Sequence, residues 1–231
     1  MTPPDAASPV PARFHLAVDD GGEFFAVCGR RIVLGHVRSA RADLPLLADV
    51  EDEHGCLEFD LSFHAGPRWR FTALARPDGD ARPLVDGAII ELSPRVGMRF
   101  RRPEASSASA RLELLGGVEC LGARTILLLA PGRGGRLRIG SRQDRLVPVP
   151  EVVHEATLEE EAGELRVACA GGVRICGVSA GGPGPSLRIP LPPTRALALA
   201  LGARAEGRAP LGILLAPARM EPPPRPEARG A

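Results

Sequence analysis

The chain has 231 residues, 44% of them hydrophobic, and its 29 basic and 28 acidic side chains leave a formal net charge of +1. That length fits one large or two small domains with enough apolar material for a core. The charge balance argues against a dedicated nucleic-acid or membrane-surface protein, and with aromatics at 3% and no tyrosine the usual stacking platform for single strands is missing. There is no lysine. An all-arginine complement beside abundant Ala, Gly and Pro reads as GC-rich coding rather than as phosphate binding.

Residues 1–11 are rich in Pro and Ala and read as a flexible N-terminus. They offer neither a basic n-region nor an apolar h-region, so no signal peptide is expected. Phe14, Leu16 and Val18 alternate with His15 and Ala17, and Asp19 to Gly22 turns the chain. Phe24–Cys28 and Ile32–Leu34 are further apolar runs; Leu57, Phe59, Leu61 and Phe63 alternate strictly; Trp69–Leu74, Ile89–Leu92 and Val96–Arg101 follow, with turns at Asp78-Gly79 and Leu84–Gly87. Small polar residues from Pro103 to Ser109 suggest a link. Beyond it, Arg111–Cys120, Ile126–Leu129, Leu137–Gly140, Ala156–Leu158, Glu164–Val167, Val173–Ile175, Leu187–Leu191 and Leu211–Leu215 read as strands, with a hairpin at Gly132–Gly135 and a loop at Gly181–Pro185. Ala196–Leu201 alternates Ala with Leu, both strong helix formers. Its place in the order of elements favours a strand. The Pro-rich end, 219–231, is expected to be disordered. No helix is expected, and no run of 18 apolar residues is present to cross a membrane.

One pattern occurs twice. Ile32-Val-Leu-Gly35 is followed by Glu51-x-x-His54 and Leu57; Leu137-Arg-Ile-Gly140 is followed by Glu151-x-x-His154 and Leu158. Each copy is a strand ending in Gly, a loop, a Glu-x-x-His and another strand, which predicts two related units in tandem.

The first copy, with Asp78-Gly79 and Leu84-Val-Asp-Gly87-Ala-Ile89-Ile-Glu-Leu92, resembles the forkhead-associated (FHA) family over residues 12–103. Residues 117–218 resemble it more faintly, through Ile139-Gly140 and Glu151-x-x-His154. The resemblance implies an all-β chain of two antiparallel β-sandwiches in tandem: an FHA-like domain at 12–103, a linker at 104–116 and a degenerate FHA-like domain at 117–218. It also implies loops at one end that grip a phosphothreonine peptide. In the family an Arg after the Gly contacts that peptide; here the positions hold His36 and Ser141. The family's Ser of Ser-x-x-His gives its hydroxyl to the phosphate; here the residues are Glu51 and Glu151. The family's Asn holds the peptide backbone, and Asp78 is the nearest match. His54 and His154 fit the family's structural histidine, which supports the loop from within.

These exchanges oppose phosphate. Phosphothreonine carries about −1.5 to −2 charges, and a carboxylate about 4 Å away repels each unit by roughly 4 kcal/mol at an effective dielectric near 20. Arg38, Arg41, Arg142 and Arg145 share the same loops. They either replace the missing contacts or pair with the new carboxylates. The expectation is a non-enzymatic adaptor or scaffold that binds a protein partner, such as a signalling protein or a kinase substrate, independently of phosphate. A phosphothreonine-binding module using the loop arginines and a purely structural or oligomer-building role are the alternatives. Neither nucleic acid nor membrane is an expected partner.

No cofactor and no metal is expected. Two Glu-x-x-His motifs also occur in di-metal carboxylate proteins, but there they sit on bundled helices, and the flanks here are strand-like. Cys56 lies two residues after His54, but no base–orienter arrangement can be read around it, and Gly132–Gly135 lacks the Gly-Lys-Ser/Thr of a phosphate loop. Five cysteines without a C-x-x-C pair indicate reduced thiols and a cytoplasmic protein.

Overall fold

The computed structural model describes residues 10–60, 68–74, 80–132, 135–150, 152–176, 184–202 and 210–218. The described residues form strands and no helix, as the patterning predicts. Among the described residues no helix is long and apolar enough to cross a membrane. The strands are β1 (Ala12–Val18), β2 (Gly22–Cys28), β3 (Arg31–His36), β4 (Leu44–Leu47), β5 (Gly55–Asp60), β6 (Arg68–Ala73), β7 (Arg82–Pro83), β8 (Ile89–Ser93), β9 (Val96–Arg101) and β10 (Ala110–Leu115). They continue as β11 (Glu119–Cys120), β12 (Thr125–Leu129), β13 (Arg136–Gly140), β14 (Val147–Pro148), β15 (Ala156–Glu161), β16 (Glu164–Ile175), β17 (Gly184–Pro190), β18 (Leu197–Leu201) and β19 (Leu211–Pro217). The Ala-Leu run is thus a strand, because β16 and β19 pair with its two edges and tertiary pairing outweighs helix propensity.

Two sheets result. A short one runs β11-β4-β3-β5-β6-β7; a long one runs β14-β13-β15-β16-β18-β19-β1-β2-β12-β10-β9-β8, with β17 added on β16. They enclose two hydrophobic clusters. The first lies between the short sheet and β2, β12, β10, β9 and β8, with Trp69, Phe71, Phe100 and Leu112 among its members. The second gathers Phe14, Leu16, Leu137, Leu158, Leu199 and Leu215. All six stand on the long sheet, which therefore curls round its own core.

The two clusters share walls. Along β2, Phe24, Ala26 and Cys28 face the second core while Phe25 and Val27 face the first; along β12, Leu127 and Leu129 face the second while Ile126 and Leu128 face the first. Side chains alternate across a strand, so a strand apolar at every position is buried on both faces. Ile126 to Leu129 are all 0% exposed, and each such side chain stabilises by roughly 1.5–3 kcal/mol. β2 and β12 pair in parallel, which locks the partition together.

The division in space therefore differs from the expected one in the chain. Segment 104–116 is no free linker: it carries β10, hydrogen-bonded to β9 and β12, and Ala108, Ala110 and Leu112 are in the first core. β11, expected in the second unit, pairs with β4 of the short sheet. β1, expected in the first unit, pairs with β19 and sends Phe14, Leu16 and Val18 into the second core. Small residues made 104–109 look like a hinge, but they are small because they pack: Ser107, Ala108 and Ser109 are buried.

All five cysteines are free thiols, and four are buried. Burial pushes Cys28 and Cys120 up to about 12 and Cys56 up to about 11, and raises Cys169. A raised pKa keeps the thiol protonated and unreactive at pH 8. A thiol-reactive dye at that pH is expected to label Cys176 rapidly and the other four only after denaturant is added. Fast labelling of Cys28 or Cys120 in the native protein would contradict this packing.

Candidate functional site

The repeat exists as structure. β3 pairs with β4 in parallel and with β5 in antiparallel fashion; β13 pairs in the same two ways with β14 and β15. The registers match: Gly35 faces Pro45 as Gly140 faces Pro148, and Ile32 faces Leu57 as Leu137 faces Leu158. Gly35 is required where it stands, since a Cβ there would sit 1.7 Å from the Asp52 carbonyl oxygen.

The two Glu-x-x-His motifs, however, are not equivalent. His54 comes three residues before Leu57, while His154 comes four before Leu158. With the two leucines in matching register, the residue that occupies the His54 position in the second copy is Glu155. A one-residue insertion thus separates copies that spell the same motif.

At the first tip, His36 ends β3; its amide donates to the Glu51 carbonyl at 3.0 Å, and its Nδ1 accepts the Arg38 amide at 3.2 Å. Asp43 closes the loop behind it, exchanging hydrogen bonds with Val33 through its amide (2.8 Å) and its carboxylate (2.9 Å). Partial burial raises the Asp43 carboxyl, against the opposing effects of that Val33 bond and of Arg13 and Arg31. Arg41 reaches Glu53 at 3.0 Å in an exposed ion pair. Glu51 and Arg38 are exposed. His54 is half-buried: its amide donates to the Leu34 carbonyl and its carbonyl accepts from Leu74, both at 2.9 Å. Its main chain thus ties β3 to the end of β6. Asp78 lies outside the described residues.

The second tip is built around Arg145, whose side chain is only 6% exposed. Its Nε and Nη2 donate to the two Glu155 carboxylate oxygens at 2.9 and 3.1 Å, Asp144 lies at 3.4 Å and Glu104 at 3.9 Å. Burial alone would lower the Arg145 pKa; the Glu155 hydrogen bonds and the charges of Glu155, Asp144 and Glu104 outweigh it and raise the pKa above the ordinary arginine value. Arg138 holds Glu104 at 2.9 Å, and Arg142 forks onto Asp144 with two bonds of 3.1 Å. Among the described residues, Arg138, Arg142 and Arg145 at this tip each have a carboxylate partner in Glu104, Asp144 or Glu155. Ser141 is exposed at the rim. The ring of His154 lies against Gly202. Glu151 lies outside the described residues.

Sequence reasoning missed Glu53, Glu104 and Glu155. Glu155 was detectable from the unequal spacing of histidine to leucine. Nothing local announced Glu104, which is brought in by the 104–109 segment, whose Ser107 is buried and donates its hydroxyl to the Arg136 carbonyl. Among the described residues no group of three His, Cys, Asp or Glu side chains is placed to hold a metal ion. Comparison with protein-family models, curated proteins and solved structures finds no match.

Proposed function

We propose that this chain is a non-enzymatic adaptor or scaffold, built on FHA-like β-sandwich units whose phosphate-gripping tips have been neutralised, and that it binds a protein partner independently of phosphate. The observation that carries the reading is Arg145, buried among Glu155, Asp144 and Glu104 and forked onto the first of them. A guanidinium so engaged is committed to Glu155, and freeing it for a ligand would take a cation from the buried Glu104 carboxylate. At the first tip, Arg41 is paired with Glu53, which follows Glu51 and Asp52 in the chain. Strand pairing matched in type and register across the two copies supports the duplicated FHA-like unit. Buried, protonated thiols without disulfides support a reducing, cytoplasmic setting.

A phosphothreonine peptide library is expected to bind no better than its unphosphorylated twin. Phosphate-dependent binding at millimolar affinity or tighter, lost when Arg41 or Arg142 is replaced by Ala, would overturn the reading. One observation favours the phosphothreonine alternative: Arg38 is exposed at the first tip and makes no ion pair among the described residues. Replacing Arg38 in the same assay tests it.

A further inference from the structure

The long sheet ends at β8 and the short sheet at β7. Between these ends opens a cavity of about 310 Å³ with Phe71, Ala73 and Leu92 on its apolar walls, His54 beside them, and Arg82, Ile89 and Glu91 along the rest of its lining. That volume is at the lower limit for ligand pockets; it suits one or two side chains rather than a cofactor.

We propose that β8 and this cavity together receive an extended, unphosphorylated segment of a partner protein. The segment pairs with β8 as an added strand, sets an apolar side chain in the cavity and brings a carboxylate to Arg82. The proposal rests on the adaptor reading and gives it a surface.

The edge argues for a strand as occupant. The Phe100 amide donates to the Ala88 carbonyl at 2.8 Å, so the alternation of an antiparallel pair turns the backbone groups of Ile89 and Glu91 away from β9. No described strand takes them. Other sheet edges are blunted in the usual ways. β7, β11 and β14 have two residues each, and β17 contains Pro185 and Pro190. β8 has five residues without proline, and the exposed Ile89 (45%) and Val85 (67%) beside it are apolar.

Charge specifies the chemistry. Arg82 is exposed, holds its guanidinium 5.9 Å from the Phe71 ring centroid, and has no carboxylate partner among the described residues. A guanidinium resting on a ring keeps its edge N–H groups for a bidentate carboxylate. Glu91 is the only charge on β8, and it opposes both an acidic residue and self-pairing centred on itself.

The test is selection of phage-displayed random dodecapeptides on the full chain, run beside a phosphothreonine library. Selected unphosphorylated peptides are expected to alternate apolar and polar residues and to include Asp or Glu. Their affinity should fall about tenfold or more with Arg82→Glu and with Ile89→Asp. Both positions are exposed, and a thermal melt checks that each variant folds. Arg82→Glu should in turn select peptides with Lys or Arg in place of the acid. Methylating alternate peptide nitrogens should abolish binding in one parity and spare it in the other. No enrichment over bare support, or binders indifferent to both substitutions, would sink the β8 site while leaving the adaptor reading open. Enrichment confined to the phosphothreonine library would sink the adaptor reading itself.

Discussion

Trp69→Ala is expected to cost about 3–5 kcal/mol, the range for emptying a buried large aromatic site. Trp69 is 1% exposed, tilts against Phe59 with ring centroids 5.1 Å apart, and donates its indole N–H to the Ala108 carbonyl at 2.8 Å. It therefore fills the first core and anchors the segment that joins β9 to β10. Trp69→Phe keeps much of the ring but leaves that buried carbonyl unpaired, at about 1–3 kcal/mol. Denaturant unfolding followed by circular dichroism measures both. Because β2 and β12 wall both cores, losing the first core strips one side of the second. One cooperative transition moved to lower denaturant is the expected form. A loss below about 1 kcal/mol for Trp69→Ala, or two separated transitions in the parent protein, would contradict the shared-wall architecture.

Arg145→Ala is the second large effect, at about 3 kcal/mol. Breaking a buried ion pair from one side costs about 3–5 kcal/mol because the other charge stays behind unpaired. The low end applies because the Glu155 side chain is 37% exposed, and water screens it. Glu104 suffers more: it is 6% exposed and would retain only Arg138 as a charged partner. Arg145→Lys is expected to rescue little, since a single ammonium cannot reproduce the fork onto Glu155. A double-mutant cycle of Arg145→Ala with Glu155→Gln should show a coupling above about 1 kcal/mol. Additive losses would mean that the tip is not held by this pair, and the argument for a closed anion site would lose its footing.

Glycine and alternation explain what local reading recovers. Phe14, Leu16 and Val18 are buried while His15 and Ala17 are not, and Gly35 and Gly140 stand at matched register positions near the ends of their strands. The candidate tips were legible as places, since the chemistry of His36, Arg41 and Arg145 is written in the residues. Their state was not. Whether Arg145 is free depends on Glu155 across the loop, and its burial brings in Glu104, forty-one residues earlier in the chain, which no periodicity connects to it. The motif at His154 misleads for a related reason: its spelling survives one extra residue between histidine and strand, and that residue gives the His54 position to Glu155.

The sequence by itself determined the all-β class, because a period of two, turn glycines and the absence of any amphipathic helical stripe leave little else. It also determined the duplicated strand-Gly-loop-strand unit. Long-range packing set which strands wall which core, closed β1 onto β19, packed β10 of 104–116 into the sheet, and brought Glu104 to Arg145 at the second tip. Alternation states which face of a strand must be buried and is silent on what buries it; partners far apart in the chain are chosen by packing and charge pairing across the whole molecule.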